Sequence, residues 1–365
     1  MTWRIGVDIG GTFTDVVVAD EATGSLEVVK VPTTPRDFAR GVLDALDAPT
    51  RRHGVVPSQV SFLAHATTVV TNALLEEKGA RAALLTTQGM RGVVEVRRSA
   101  RASLYDLFQD GPHVIVPRHM RLEVRERLDA QGQVVTPLRI EDVDRAIDFL
   151  RRHEVQAVAV CFLYSFLNDA HERAVGARLR AALPGVPVFL SSEVLPEIRE
   201  FERTSTTAVC AYVGPILASY LDRLESAVKS QGFPSPYVMG SSGGVFTVAE
   251  GLTMPAMAGE SRPAAGVIAA QLIGRRLGLP NLISFDMGGT TAKASLIEHG
   301  EVSTTSEYEV GGGASARRWM HGTGHPIRVP VIDLAEVSAG GGSIAWIDPG
   351  GALRVGPESA GAEPG

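Results

Sequence analysis

Two observations in the sequence predict an α/β fold built from duplicated lobes, in which helices flank mixed sheets. Residues 4–85 contain three strand patterns followed by helix, strand, helix and strand, an order typical of a sheet covered by helices. A glycine-rich turn occurs twice, each time after an apolar strand that ends in aspartate: Asp8-Ile-Gly-Gly-Thr12 and Asp286-Met-Gly-Gly-Thr290. This repeated unit predicts two related lobes, of which the second is incomplete within the 365 residues.

Each element is justified by its apolar periodicity and by the turn residues around it. Residues 4–9, 15–20 and 27–31 predict three antiparallel strands. The next helix is expected to begin at Thr34, with Pro35 in its first position, because no helical N–H is needed there. The later elements are, in order, strand 60–63, helix 69–78, strand 81–85, a hairpin around 122–132 within an insertion, helix 141–153, strand 155–163, helix 168–183, strand 186–190, a helix within 197–229, strand 237–239, helix 266–277 and strand 282–285.

Composition and charge exclude several classes of protein. The chain is 44% apolar and 21% charged with a formal net charge of -6, so a disordered chain is excluded and nucleic acid is not an expected partner. No apolar run approaches the roughly 18 residues of a membrane helix, and no export signal is recognised. Cys161 and Cys210 lie in apolar segments without metal-ligand spacing. We therefore expect a cytoplasmic protein with two buried, inert thiols and no membrane partner.

The two glycine turns have the chemistry of phosphate-binding loops. Glycine lets backbone N–H groups approach an anion closely, and the threonine hydroxyls add donors. An aspartate at a strand end can hold a hydrated Mg²⁺ together with phosphate oxygens. One copy alone is equally well explained as a hairpin turn, but two copies facing each other suit phosphoryl transfer from ATP, which depends on positioning and charge neutralisation. Neither a Walker motif nor a G-x-G-x-x-G motif that opens a helix is present.

Several segments together carry a resemblance to a known family. They are Asp8-Ile-Gly-Gly-Thr-Phe-Thr-Asp15, His65-Ala-Thr-Thr-Val-Val-Thr-Asn-Ala-Leu-Leu-Glu76, Ser191-Ser-Glu193, Glu202-Arg-Thr-Ser-Thr-Thr207, Asp286-Met-Gly-Gly-Thr290 and Gly340-Gly-Gly-Ser-Ile-Ala-Trp-Ile-Asp348. With these motifs the chain resembles the actin, Hsp70 and sugar kinase superfamily. More specifically, it resembles the ATP-using subunit of the hydantoinase/oxoprolinase family, also called N-methylhydantoinase A. Family members are about twice this length, so the resemblance implies an N-terminal half.

The resemblance also implies a reaction and its participants. Family members phosphorylate an amide or carbonyl oxygen with ATP, and a partner subunit with its own metal site completes hydrolysis or carboxylation. For this chain it implies ATP and Mg²⁺ as cofactors, a hydantoin, 5-oxoproline or lactam as substrate, and a hydantoinase B-like partner subunit. It implies that Asp8 and Asp286 organise Mg²⁺. The residues that would cradle the phosphates are Gly10, Gly11, Thr12, Thr14, Gly288, Gly289, Thr290 and Thr291.

Other candidate residues surround these loops, each with a structural alternative. His65 is expected near the mouth of the cleft, where it either orients a substrate carbonyl or phosphoryl group or locks its own loop. Lys293 stands where many family members carry aspartate, so it either neutralises a phosphate oxygen or marks a subgroup with another substrate. Asp15 is interpreted either as a cofactor-binding residue or as a structural cap. Gly341 and Gly342 are expected in an adenosine-side loop or in a plain turn.

The sequence also predicts how the chain divides. The first domain, residues 1–190, carries the first phosphate loop, and a truncated second domain, residues 191–365, carries the second. The boundary between the two lobes is expected further along the chain than the domain boundary, with the second lobe beginning near residue 234. By resemblance residues 203–206 line the substrate side, although the exposed polar face of a helix would explain them as well.

Four functions compete at this point. The leading hypothesis is ATP-dependent activation of a cyclic amide for hydrolysis. The ATP-using subunit of a ketone carboxylase would share every motif above. A nucleotide-binding regulator that passes lobe closure to a protein partner, and an inactive fragment that keeps both phosphate loops, are the alternatives without this catalysis.

Overall fold

The computed structural model describes residues 2–9, 13–32, 38–98, 105, 108, 113–288, 292–306, 308–310, 324–337 and 339–360. The helices are α1 Phe38–His53, α2 Val69–Leu75, α3 Val93–Val96, α4 Ile140–Arg152, α5 Ala170–Ala182, α6 Ser191–Val194, α7 Glu200–Ser230, α8 Val248–Thr253 and α9 Ser261–Leu277. The strands are β1 Trp3–Ile9, β2 Phe13–Asp20, β3 Leu26–Pro32, β4 Val60–Ala66, β5 Ala82–Thr87, β6 Arg121–Val124, β7 Arg127–Leu128, β8 Val134–Thr136, β9 Ala157–Cys161, β10 Val188–Leu190, β11 Tyr237–Met239, β12 Val245–Thr247, β13 Leu282–Met287, β14 Ala292–Glu298, β15 Glu301–Val302, β16 Thr304–Thr305, β17 Tyr308–Val310, β18 His325–Ile327, β19 Val331–Ile332, β20 Ala335–Val337, β21 Ser343–Ile347 and β22 Leu353–Ser359.

A six-stranded sheet positions the first aspartate. Its order is β12-β11-β4-β1-β2-β3, with β1, β2 and β3 antiparallel and with β4 parallel to both β1 and β11. Trp3, Ile5, Val7 and Ile9 of β1 are buried, which is the period-two pattern of a strand with one face on the core. Asp8 therefore lies on the less buried face, at the carboxyl end of the strand.

Two further sheets complete the main framework. The sheet β10-β9-β5-β6 is parallel throughout, and every residue of β9 is buried, as in a strand covered on both faces. The third sheet is antiparallel, with β14 paired to β13, β15 and β20. It positions the second aspartate, because Asp286 lies near the end of β13. On β13 the side chains of Ile283 and Phe285 are exposed.

The long helix α7 connects the first two sheets. At 31 residues it is about 46 Å long, and its buried residues surround it for much of that length. It packs on β9 of the second sheet, while Tyr220 reaches His65 on β4 of the first. Among the residues described, no helix combines the length and the apolar character required to cross a membrane.

The α/β class and most of the elements predicted from sequence are confirmed. β11 coincides with the strand expected at 237–239, and α4 begins one residue before its expected start. The expected start of the first helix, residues 34–37, lies outside the described residues, and α1 is described from Phe38.

The hairpin expected around 122–132 is wrong in its first strand. β6 instead lies parallel to β5 in the second sheet, and the hairpin consists of β7 and β8. Val124 is fully buried in β6, and its partner strand is more than thirty residues away in the chain. A pattern read along the chain favours the local partner, because it contains no signal for a distant parallel one.

The first sheet contains strands from beyond both predicted boundaries, the domain boundary at 190 and 191 and the lobe boundary near 234. β11 and β12, which follow residue 234, extend the six-stranded sheet by pairing through β4. The first sheet therefore takes strands from both predicted domains, and the division at 190 and 191 stays a prediction.

Candidate active site

Asp8 and Asp15 face each other across the first two strands. They are register partners in the antiparallel pair of β1 and β2. Like charges in this position repel, so each requires a cation nearby. Lys30 Nζ lies 3.0 Å from Asp15 Oδ1, and Arg262 supplies the cation for Asp8. Asp15 thus lies beside Asp8, the predicted metal ligand, but its own salt bridge is with Lys30 on β3.

Arg262 binds Asp8 through both carboxylate oxygens. Its Nε donates to Oδ1 at 2.5 Å and its Nη2 donates to Oδ2 at 2.9 Å, a two-pronged geometry. Burial alone would lower the pKa of the guanidinium, but the hydrogen bonds to Asp8 and the charges of Asp8, Asp286 and Asp15 raise that pKa above its ordinary value. Arg262 is therefore hydrogen-bonded to Asp8, and its charge also interacts with that of Asp286, the second predicted metal carboxylate.

The N-terminal end of α9 is fixed to the loop that follows β4 and to α2. Ser261 Oγ donates to the Thr67 carbonyl oxygen at 2.9 Å, and the Glu260 N–H donates to Thr71 Oγ1 at 3.3 Å. Glu260 has a positive φ of 53° immediately before the helix, a backbone conformation that residues other than glycine rarely adopt. These contacts hold Arg262 opposite the end of β1.

Lys293 is paired with Glu260 rather than free to meet a phosphate. Lys293 Nζ donates to Glu260 Oε2 at 2.6 Å, and only 14% and 7% of the two side chains are exposed. Lys293 is also the register partner of Asp286 across β13 and β14. The N-terminal end of α9 therefore takes part in two ion pairs, Asp8 with Arg262 and Glu260 with Lys293.

The carboxylates fit a hydrated Mg²⁺ better than a protein-enclosed metal. Within the described parts of the chain, no group of three or more His, Cys, Asp or Glu side chains is arranged to hold a metal ion. Mg²⁺ does not require one, since one or two carboxylates with water and phosphates usually suffice. Arg262 already shows that Asp8 accepts a cation here, within the field of Asp286.

The glycine loops are only partly described. Gly10, Gly11, Thr12, Gly289, Thr290 and Thr291 lie outside the described residues. Gly288 is described, and its carbonyl oxygen accepts a hydrogen bond from the Gly341 N–H at 2.9 Å. The segment with Gly341 and Gly342 therefore contacts the second phosphate loop. Thr14 is also described, and its side chain is fully buried in β2, which does not fit the predicted contact with a phosphate.

His65 is fully buried, which contradicts its expected place near the mouth of the cleft. Its Nε2 lies 2.6 Å from Tyr220 Oη and shares a hydrogen bond with it. Burial lowers the pKa of His65 to about 4, because the interior disfavours the charged imidazolium. A neutral, buried ring that joins β4 to α7 favours the structural interpretation, in which His65 locks its own loop.

The polar run at the start of α7 faces the interior. Arg203 is 1% exposed and donates to the Phe162 carbonyl oxygen at 2.7 Å and to Ser191 Oγ at 2.6 Å. Its charge is opposed by the buried Glu172 at 3.8 Å. This network joins β9, α5 and α6 to α7, so the expectation that Arg203 lines the substrate side is wrong.

A cavity of about 400 Å³ lies beside the first turns of α7. Ser205, Phe201 and His325 line it, and burial lowers the pKa of His325 to about 4, aided by the charges of Arg97 and His113. Ser205 and Tyr220 are 15 positions apart on one helix, so about 22 Å separates the cavity from the His65 contact.

Sequence reasoning missed Arg262 and Glu260. One signal was available, because an arginine in the first turn of a helix opposes the helix dipole, which favours negative charge there. Pro263 next to it marked the start of the helix earlier than the expected residue 266. The partner of Arg262 lies 254 residues away, and local pattern carries no information about it.

Comparisons with known proteins give a consistent result. A family model described as "Hydantoinase/oxoprolinase N-terminal region" matches residues 4–183, and one described as "Hydantoinase/oxoprolinase" matches residues 203–365. An uncharacterised protein of Methanocaldococcus jannaschii is 44% identical over 100% of this chain and 54% of its own. Caprolactamase subunit alpha of Pseudomonas jessenii is 35% identical over 100% of this chain and 51% of its own. The chain thus spans about half the length of the curated relatives it matches.

Two solved structures have similar folds. The crystal structure of the ATP-dependent caprolactamase from Pseudomonas jessenii matches 99% of this chain and 52% of that chain, with a TM-score of 0.87 and 34% identity. A nucleotide-free structure of acetone carboxylase, described for ATP-dependent acetone carboxylation, matches 98% of this chain and 51% of that chain, with a TM-score of 0.81 and 26% identity.

Proposed function

This chain belongs to the hydantoinase/oxoprolinase family, and we propose that it is the ATP-using part of an enzyme that activates a cyclic amide for ring-opening hydrolysis. One observation carries the proposal. Asp8 and Asp286 lie near the ends of strands of two different sheets, Arg262 is hydrogen-bonded to Asp8, and the charge of Asp286 also acts on that guanidinium. Two carboxylates from different sheets whose charges act on one cation suit a Mg²⁺-nucleotide held between glycine loops.

The residues have distinct roles in this proposal. Bound Mg²⁺ would supply charge neutralisation for the phosphates, and Asp8 and Asp286 would hold it with water. The phosphate oxygens would be bound by backbone N–H groups of the two glycine loops, at Gly10, Gly11, Thr12, Gly288, Gly289, Thr290 and Thr291. Gly341 and Gly342, in contact with the second loop through Gly288, would border the nucleotide.

Activation is needed because a planar amide resists attack by water. The amide oxygen forms a bond to the terminal phosphorus while the bond from that phosphorus to ADP breaks. One water then adds to the carbonyl carbon, the ring C–N bond breaks and the nitrogen takes a proton. A second water releases the phosphate. We place these later steps with a hydantoinase B-like partner subunit, since a relative is itself named as one subunit of a caprolactamase.

A ketone carboxylase is the second candidate. The solved structure of acetone carboxylase matches nearly the whole chain, and activation of a carbonyl oxygen by phosphorylation is equally suited to a ketone.

The cytoplasm is the proposed location for either enzyme. Burial raises the pKa of the Cys161 thiol and raises that of Cys210 to about 12, so both stay protonated and inert.

The test is ADP release by the assembled enzyme, in which this chain is joined by the polypeptides that supply the rest of the family's length and the partner subunit. Hydantoins, 5-oxoproline and lactams are compared with a ketone plus bicarbonate. Stimulation by one cyclic amide is expected. Stimulation only by ketone and bicarbonate would replace the hydrolase with the carboxylase. ATP turnover that responds to neither would indicate a regulator.

The aspartate assignment has its own controls in the same assay. Asp8→Asn and Asp286→Asn each remove one negative charge at nearly constant volume. Each is expected to lower ATP turnover at least about a hundredfold, because each carboxylate would hold the Mg²⁺ that neutralises the phosphates. Asp44→Asn, on the exposed surface of α1, makes the same change away from the site. Full turnover in either strand-end variant would refute the assignment.

A further inference from the structure

Arg262 is held in a position that its own helix disfavours. It is the second residue of α9, and the N-terminal end of a helix carries partial positive charge. Its neighbours on the chain do not relieve this, because Glu260 is already paired with Lys293. The cation is retained there by Asp8, at 2.5 and 2.9 Å. An arginine held at the N-terminal end of a helix can bind an anion that approaches the same helix end.

The contact with Asp8 is strong but open to exchange. The side chains of Arg262 and Asp8 are 35% and 39% exposed, so water and ligands reach both. A guanidinium fork matches a phosphate as well as it matches a carboxylate. Asp8 is also one of the two residues proposed to hold Mg²⁺. Arg262 is therefore bound to the same carboxylate that would coordinate the metal.

We propose that Arg262 exchanges partners when ATP binds: it leaves Asp8, its guanidinium binds the terminal phosphate, and Asp8 becomes free for Mg²⁺. The inference rests on the proposed function and adds a residue that selects the triphosphate. Each group keeps a partner of opposite charge in this exchange, since Asp8 replaces one cation with another and Arg262 replaces one anion with another. Neither group is left unpaired, so the arrival of the metal and the release of the arginine are coupled.

This exchange has a consequence for nucleotide preference that does not depend on turnover. ADP lacks the terminal phosphate, so Arg262 has no new partner and competes with the metal for Asp8. ATP supplies that partner. The chain should therefore bind a non-hydrolysable ATP analogue more tightly than ADP in the presence of Mg²⁺, and the preference should depend on Arg262.

The experiment measures binding of ADP and of the analogue by calorimetry, with Mg²⁺, to the assembled enzyme carrying wild-type chain, Arg262→Gln or Arg262→Lys. We expect Arg262→Gln to reduce the ATP preference about 10 to 100-fold, the effect of losing one charge-assisted pair, while ADP binding is unchanged or tighter. Arg262→Lys keeps the charge without the fork and should be intermediate. Arg276→Gln, at the exposed C-terminal end of the same helix, is the matched control and should bind as the wild type does.

The outcomes separate the two proposals. If the wild type binds neither nucleotide, the proposed function fails and the exchange fails with it. If the wild type binds both and Arg262→Gln keeps the preference, only the exchange is refuted. An equal loss of ADP and analogue binding would also refute it, because it would show that Arg262 merely shapes the cleft. If Arg262→Gln does not fold, Arg262→Lys decides between the same results.

Discussion

Lys293 and Glu260 form an ion pair between β14 and the residue before α9, with 2.6 Å between Nζ and Oε2. Both side chains are mostly buried, so each carries a desolvation cost that the other offsets. Because Glu260 also precedes Arg262, the pair joins the strand opposite Asp286 to the helix end opposite Asp8. It fixes the two halves of the aspartate site relative to each other.

Removing one member of this pair should destabilise the protein strongly. Lys293→Met leaves Glu260 buried without this partner, and we expect the free energy of unfolding to fall by about 3 kcal/mol. Adding Glu260→Gln to Lys293→Met should restore most of the loss. Denaturant unfolding of both single variants, the double variant and the wild type measures the coupling. Asp144→Asn, which breaks an exposed bridge to Arg178, is the control and should change little. Additive losses at Lys293 and Glu260 would contradict a coupled pair.

The stability of the protein should depend on the protonation of His65. Its pKa is about 4 in the folded chain and 6.5 in its ordinary state, so the unfolded chain binds the proton first as pH falls. His65 therefore contributes stability above pH 6.5 that is lost progressively down to pH 4. The complete shift corresponds to about 3 kcal/mol.

The measurement is denaturant unfolding at several pH values for the wild type and His65→Gln. The stability advantage of the wild type should shrink between pH 6.5 and pH 4. His119→Gln, at an exposed histidine, should follow the wild-type curve. Wild-type and His65→Gln curves that run parallel through this range would show that the buried ring does not control it.

Two glycines of α9 should respond in opposite ways to alanine. A Cβ at Gly274 would lie 2.3 Å from Leu282 Cδ1 and 2.9 Å from the Leu279 carbonyl oxygen, so Gly274→Ala should cost about 1 to 3 kcal/mol of unfolding free energy. A Cβ at Gly266 meets nothing within 4 Å, so Gly266→Ala should stabilise by about 0.5 to 1 kcal/mol through helix propensity. Thermal and denaturant unfolding compare the pair. Stabilisation at both positions would show that α9 does not pack closely on β13.

The sequence predicted local structure well and distant pairing poorly, for a physical reason. β1, β2 and β3 follow one another closely along the chain, so alternation and turn residues in the sequence are sufficient to place them. β6 and β11 pair in parallel with strands far away in the chain, and only the folded protein shows those partners.

The candidate site divides in the same way. The aspartate loops could be recognised because Asp8 and Asp286 repeat one motif, and the charges of both act on Arg262, which Asp8 also binds. The identity of that cation depends on the packing of α9 against the loop after β4, through Ser261 and Thr67. His65 had the chemistry of a catalytic residue in the sequence, and burial by α7 decided otherwise.

The order of strands in the first sheet also matters during synthesis. β4 ends at Ala66, but β11, which covers its outer edge, begins at Tyr237, about 170 residues later. A ribosome adding about 5 to 20 residues per second needs about 10 to 35 s to deliver that partner. Throughout this interval the nascent chain presents an unpaired strand edge, which is a template for association with other chains. Chaperone protection of the emerging polypeptide is therefore most valuable between the translation of these two strands.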